Sequence, residues 1–122
     1  MFHPSVYASL FLCSGANEGP AVNTSATGVA LIRITSDNKL YSKVTVSTLD
    51  AGDAVTVSQI HSAAAGVNGA VIQDLCSTAA DFGAAKVTTP STAILNSIKN
   101  DALYVNVHST SKPSGLIRGQ IR

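Results

Sequence analysis

Apolar and polar residues alternate along most of this chain with the two-residue period of β-strands, and one stretch departs from it. Strand-like runs fall at residues 5–13, 28–35, 39–47, 54–61, 70–75, 102–108 and 116–121, with turn-forming residues between them. Short strands in this number predict an all-β fold, a Greek-key or immunoglobulin-like β-sandwich of about seven to eight strands. Between Gly28–Thr35 and Leu40–Ser47 stands Ser36-Asp37-Asn38-Lys39, a polar tetrad suited to a hairpin turn. In the second of these strands Leu40, Val44 and Val46 point one way and Tyr41, Lys43, Thr45 and Ser47 the other, so one face packs and one meets water. The run at 102–108 sorts alike: Leu103, Val105 and Val107 make an apolar side, and Tyr104, Asn106 and His108 a polar side where function is expected. The departure is Ser91–Asn100, where Ile94, Leu95 and Ile98 stand at helical spacing and predict one short helix near 91–99. Thr89 or Ser91 suits its cap, Pro90 its first turn and Lys99-Asn100 its end.

Composition narrows the classes. A chain of 122 residues suits one domain spanning 1–122, long enough to bury roughly two-thirds of its unfolded surface. Charged residues make up 12%, about half the usual share, so the surface is polar without being strongly charged. A net charge of +1, with Lys39, Lys43, Lys86, Lys99 and Lys112 scattered, excludes a nucleic-acid partner. No run approaches the ~20 apolar residues of a membrane span. Ser5–Cys13 has the apolar character of a signal peptide but no basic leader, and is read as a strand. Low charge also leaves little repulsion between strand edges or faces, so protein partners, self-association and a homo-oligomer are expected.

Cys13 and Cys76 are too few and too far apart for a zinc knuckle. Two readings stand: a disulfide closing a loop of about 60 residues in an oxidising compartment, or two buried thiols serving as small hydrophobes. Asn23-Thr24-Ser25 is an N-glycosylation sequon in an expected loop, with Asn23 the acceptor.

Three segments, in order, resemble one family. Ser14-Gly15-Ala16-Asn17-Glu18-Gly19-Pro20-Ala21-Val22 is similar to the opening Ser-Gly-Ala-Asn-Glu-Val-Pro-Pro-Val of CHRD domains, the module first named from chordin. Gln59-Ile60-His61 through Ala65-Gly66-Val67-Asn68-Gly69-Ala70-Val71 resembles that family's His-Ile-His and Ala-Gly-Val-Asn-Gly-Pro-Val. Tyr104-Val105-Asn106-Val107-His108, a Pro/Gly loop, then Ile117-Arg118-Gly119-Gln120 resembles its Tyr-Val-Asn-Val-His and Glu-Ile-Arg-Gly-Gln. The resemblance covers nearly the whole chain and implies a secreted, extracellular all-β module.

Two constellations follow. His61 and His108 each end a strand, and a convergent pair would bind copper or zinc as imidazoles commonly do. That arrangement resembles the strand histidines of Cu/Zn superoxide dismutase, although Gln59 stands where the family's first His would be. Glu18 and Arg118 lie in separate matched motifs, and a forked carboxylate–guanidinium bond between them would tie the 14–27 loop to the last strand, with Gln120 and Asn106 completing a structural polar network. Leu116 replaces the family's Glu. No Gly-x-Ser-x-Gly elbow or phosphate loop is present, and Asp50 and Asp53 flank Gly52 as a solvated turn rather than a calcium loop. The expected function is therefore a non-enzymatic extracellular structural or interaction module, in adhesion, matrix or self-assembly, without a cofactor. The alternative is a copper- or zinc-binding protein with a superoxide-dismutase-like site at His61 and His108.

Overall fold

A computed structural model describes residues 2–122. The alternating runs become eight strands: β1 (Ser5–Ser14), β2 (Thr27–Thr35), β3 (Leu40–Ser47), β4 (Val55–Ser62), β5 (Ala70–Cys76), β6 (Lys86–Thr88), β7 (Leu103–Ser109) and β8 (Ile117–Gln120). All pair antiparallel in one sheet of order β5-β4-β7-β8-β1-β2-β3-β6, which curls until β3 and β5 touch. The result is nearly a barrel, within the sandwich-and-barrel class that the pattern predicts. The tetrad Ser36–Lys39 does turn β2 into β3: Asn38 takes a left-handed φ of 63° and its N–H donates to the Thr35 carbonyl at 3.0 Å. The three-residue strand β6 was not visible as a period, because three residues are too short to show one.

Inside the curl, Ile32, Leu40, Val44, Ile60, Val105 and Ile117 form a contiguous core. Helix α1 (Thr92–Asn100) adds Leu95 and Ile98 to it from one apolar stripe. Ser91 is the cap, its Oγ accepting from the Ile94 N–H at 3.3 Å, so Pro90 precedes the helix instead of occupying its first turn. At the other end the Arg122 guanidinium donates to the carbonyls of Ile98 and Asp101 at 3.0 and 2.8 Å, satisfying acceptors that a helix end leaves open.

Three points extend the sequence reading. On the polar side of β7, Tyr104 and Asn106 are 3% and 4% exposed, as enclosed as the apolar side. Cys13 and Cys76 are free thiols, both buried, with β8, β7 and β4 lying between their strands in the sheet. This arrangement fits the thiol reading of the two. Asp50 and Asp53 are neither a metal loop nor simply solvated; they clasp neighbouring loops, Asp50 accepting from the hydroxyls of Thr24 and Ser25, and Asp53 from the Thr110 hydroxyl and the Ser111 N–H.

Candidate functional site

Parity places Tyr104 and Asn106 of β7, Arg118 and Gln120 of β8 and His61 of β4 on the outer face of the curl, and the register sets His61 opposite Tyr104 and Asn106 opposite Arg118. The 62–69 loop folds over them. Arg118, 1% exposed, donates through Nη2 to the carbonyls of Ala64 and Val67 at 3.0 and 2.9 Å and to Gln120 Oε1 at 3.2 Å, and through Nη1 to Asn68 Oδ1 at 3.3 Å. Its Cζ sits 3.4 Å from the centre of the Tyr104 ring, which in turn stacks on His61 at 4.8 Å between centroids. A buried guanidinium is stabilised here by carbonyl dipoles and a π-face, not by a carboxylate. Gln120 Nε2 donates to the Ala63 carbonyl at 2.8 Å, and the Gly69 N–H donates to Tyr104 Oη at 3.1 Å. Gly69 must be glycine, because a Cβ there would fall 1.9 Å from the Ser62 carbonyl oxygen.

Both nitrogens of His61 are engaged. Nδ1 donates to the Gly69 carbonyl at 2.9 Å, and Nε2 lies 2.9 Å from Asn106 Oδ1. His108 is elsewhere. It lies four residues along β7 from Tyr104, the partner of His61, which at ~3.3 Å per residue is a separation of roughly 13 Å. The two histidines therefore do not meet on one ion, whose bonds to imidazole are about 2 Å, and the described residues hold no cluster of three or more His, Cys, Asp or Glu that could bind a metal.

The expected Glu18–Arg118 fork does not form. Arg118 spends its donors on the 62–69 loop, and the chain around Glu18 is held instead by Asn17 Nδ2 donating to the Arg118 carbonyl at 3.1 Å and Asn68 Nδ2 to the Gly19 carbonyl at 2.7 Å. Of the predicted network, Arg118, Gln120 and Asn106 come together, and Glu18 stands apart. Its Oε2 is buried with no hydrogen-bond partner. Burial pushes its carboxyl up to about 7, against the opposing pull of Arg118. Glu18 borders a cleft of about 370 Å³ between residues 18–22 and the β7–β8 turn, 111–115. Asn23, in the β1–β2 connection, is exposed.

The second notable surface was missed. On the outer face of β1 and β2, Leu10 opposes Leu31 and Leu12 opposes Val29, and all four are exposed, Leu10 by 68% and Leu12 by 74%. A signal existed: Val6, Tyr7, Leu10, Phe11 and Leu12 put apolar groups on both parities of one strand, which a strand with a wet face does not do.

No curated protein and no solved structure matches the chain. A family model does. The buried network and the loop it fastens are built from the middle and C-terminal of the three motifs, and the CHRD domain model matches residues 11–121, almost from end to end. The chain therefore belongs to the CHRD domain family, generally an extracellular-type module.

Proposed function

We propose that this chain is a non-enzymatic, secreted interaction module that associates with further copies of itself through the outer face of β1 and β2. The observation that carries the reading is the exposed quartet of Leu10, Leu12, Val29 and Leu31, extended by Val6 at 56% exposure, on strands paired in register. Side chains so exposed present on the order of 500 Å² of apolar surface, so two such faces packed together bury about 1,000 Å², the size at which specific interfaces begin. β1 contains no charged residue, so nothing along it opposes a copy of itself. Charge stands at the rim, where Lys43 lies opposite Leu31 and Arg33 stacks on Tyr41 at 4.4 Å. An isologous, face-to-face pair of sheets suits this distribution. The motif residues Arg118, Gln120 and His61 support the same reading from the other side, since they are engaged in holding the 62–69 loop.

Sedimentation velocity over a range of concentrations tests it, with Leu10→Lys and Leu31→Lys run beside the parent chain. The parent should associate as concentration rises, in a manner little weakened by salt, and either variant should stay monomeric with its melting temperature unchanged. A parent chain that is monodisperse and monomeric at high concentration rejects the proposal.

A further inference from the structure

Three buried side-chain acceptors among the described residues have no hydrogen-bond partner: Glu18 Oε2, Asp53 Oδ2 and His108 Nε2. All three belong to residues that border the β7–β8 turn. Glu18 packs against Gly115, whose φ of +137° and missing side chain make room for the carboxylate; a Cβ there would fall 2.7 Å from Oε2. His108 Nδ1 donates to the Pro113 carbonyl at 2.7 Å, which leaves Nε2 bare, and Asp53 Oδ1 accepts from the Ser111 N–H at 3.0 Å. This corner of the molecule has an excess of acceptors over donors. Burying a carboxylate without a donor is costly, and Arg118, whose charge acts on Glu18, is fastened to the 62–69 loop.

Glu18 is also the one acidic group on the cleft between residues 18–22 and 111–115. The cleft's other walls include Pro20, Val22 and Pro113, apolar surfaces suited to an alkyl stem. We propose that this cleft binds a primary ammonium carried on an alkyl chain, such as a lysine side chain of a partner protein, with the ammonium donating to Glu18 and the stem lying against Pro20, Val22 and Pro113. The cleft shares no residue with the β1–β2 outer face, so this site stands or falls independently of self-association.

The charged and titratable groups around Glu18 set the expected pH response. They are Arg118 on β8, which holds the carboxyl down, and Cys13 on β1, whose thiol is pushed up to about 12 by burial and by Glu18 and so stays neutral. Lys112 of the turn also lines the cleft, and His108 Nδ1 donates to the Pro113 carbonyl. With Glu18 titrating at about 7, the site becomes anionic as pH rises from 6 to 8 while an alkylammonium stays charged, so binding should strengthen over that interval.

The test uses the full chain, isotope-labelled, titrated in NMR with Nα-acetyl-lysine N-methylamide and with the uncharged norleucine analogue. The lysine compound should give saturable shifts at the amides of Gly19, Ala21, Val22, Ser111, Lys112, Ser114 and Gly115, with a Kd of about 1 mM, as a single ion pair with a buried stem allows. Binding should tighten from pH 6 to pH 8, and Glu18→Gln should weaken it at least tenfold and flatten the pH profile. Equal shifts with norleucine, a flat pH profile in the parent chain, or undiminished binding in Glu18→Gln would each overturn the proposal.

Discussion

The two outer faces of the curled sheet are finished in opposite ways. On β4, β7 and β8 the outward side chains are His61, Tyr104, Asn106, Arg118 and Gln120, and a loop is fastened over them by hydrogen bonds from Arg118 and Gln120. On β1 and β2 the outward side chains include Leu10, Leu12, Val29 and Leu31, and nothing among the described residues lies over them. The covered face is polar and the bare face is apolar, the reverse of what burial alone would arrange. The polar face is enclosed because its groups can be satisfied by backbone carbonyls of the 62–69 loop, which itself needs partners for those carbonyls. An apolar face offers a polar loop no such exchange, and it is left for another apolar surface to cover.

The largest effect should come from the covered face. Arg118→Ala removes four side-chain hydrogen bonds and the contact with Tyr104, leaving the Val67 carbonyl without its Arg118 donor and the Ala64 carbonyl with only the Val67 N–H. Losing a buried guanidinium with its acceptors still in place should cost about 3–5 kcal/mol. For a domain of this size that is on the order of 10–20 °C in melting temperature. Calorimetry of the variant checks this, and hydrogen exchange should rise first at Ala64–Gly69. Leu10→Lys on the bare face should leave both readouts unmoved. If the two substitutions destabilised the chain equally, the contrast between a fastened face and a free one would be lost.

A smaller effect belongs to Glu18, which sits between the two faces. Its carboxyl is raised from 4.5 to about 7, burial outweighing Arg118. The folded chain therefore binds more protons than the unfolded chain between these values, and stability falls as pH rises through that window. Because the group is half-buried, solvent screening holds the loss to on the order of 1 kcal/mol. Denaturant melts at pH 5 and pH 8 should show it, and Glu18→Gln should remove the difference. A parent chain equally stable at both values, or a variant that keeps the slope, would show that Glu18 titrates in the folded state as it does in the unfolded one.

Strand positions, the hairpin at Ser36–Lys39 and the helix at Thr92–Asn100 were legible because each is written in local periodicity and turn chemistry. The order of strands was not, since nothing local tells β1 to lie beside β8. The candidate site was half legible. Arg118, Gln120 and Asn106 could be grouped by motif and strand parity, but the loop partners of Arg118 and Gln120 are the backbone carbonyls of Ala63, Ala64 and Val67, which any residue would supply and no sequence pattern marks. The Glu18–Arg118 fork was reasoned from complementary charge in two matched motifs. Carbonyls of a folded loop competed for the same donors and won them, a geometric outcome that charge does not foretell.

The smallest effect expected is none at all, and it separates two accounts of the cysteines. Cys13 lies on β1 opposite Gly28, and Cys76 ends β5 opposite Ser58. Burial, followed by the charge of Glu18, pushes the Cys13 thiol up to about 12; burial, followed by the charge of Asp81, pushes the Cys76 thiol up to about 11. A thiolate is the reactive species, and at pH 8 almost none is present at either position. Incubation of the native chain with an aromatic disulfide reagent should release no chromophore over minutes, and two equivalents should appear on unfolding. Rapid release from the native chain would mean that the β1–β2 wall or the β4–β5 wall opens readily, making the bare face a site of local unfolding and not a rigid docking surface. No release even after unfolding would restore the disulfide and require β1 and β5 to lie closer than the sheet order places them.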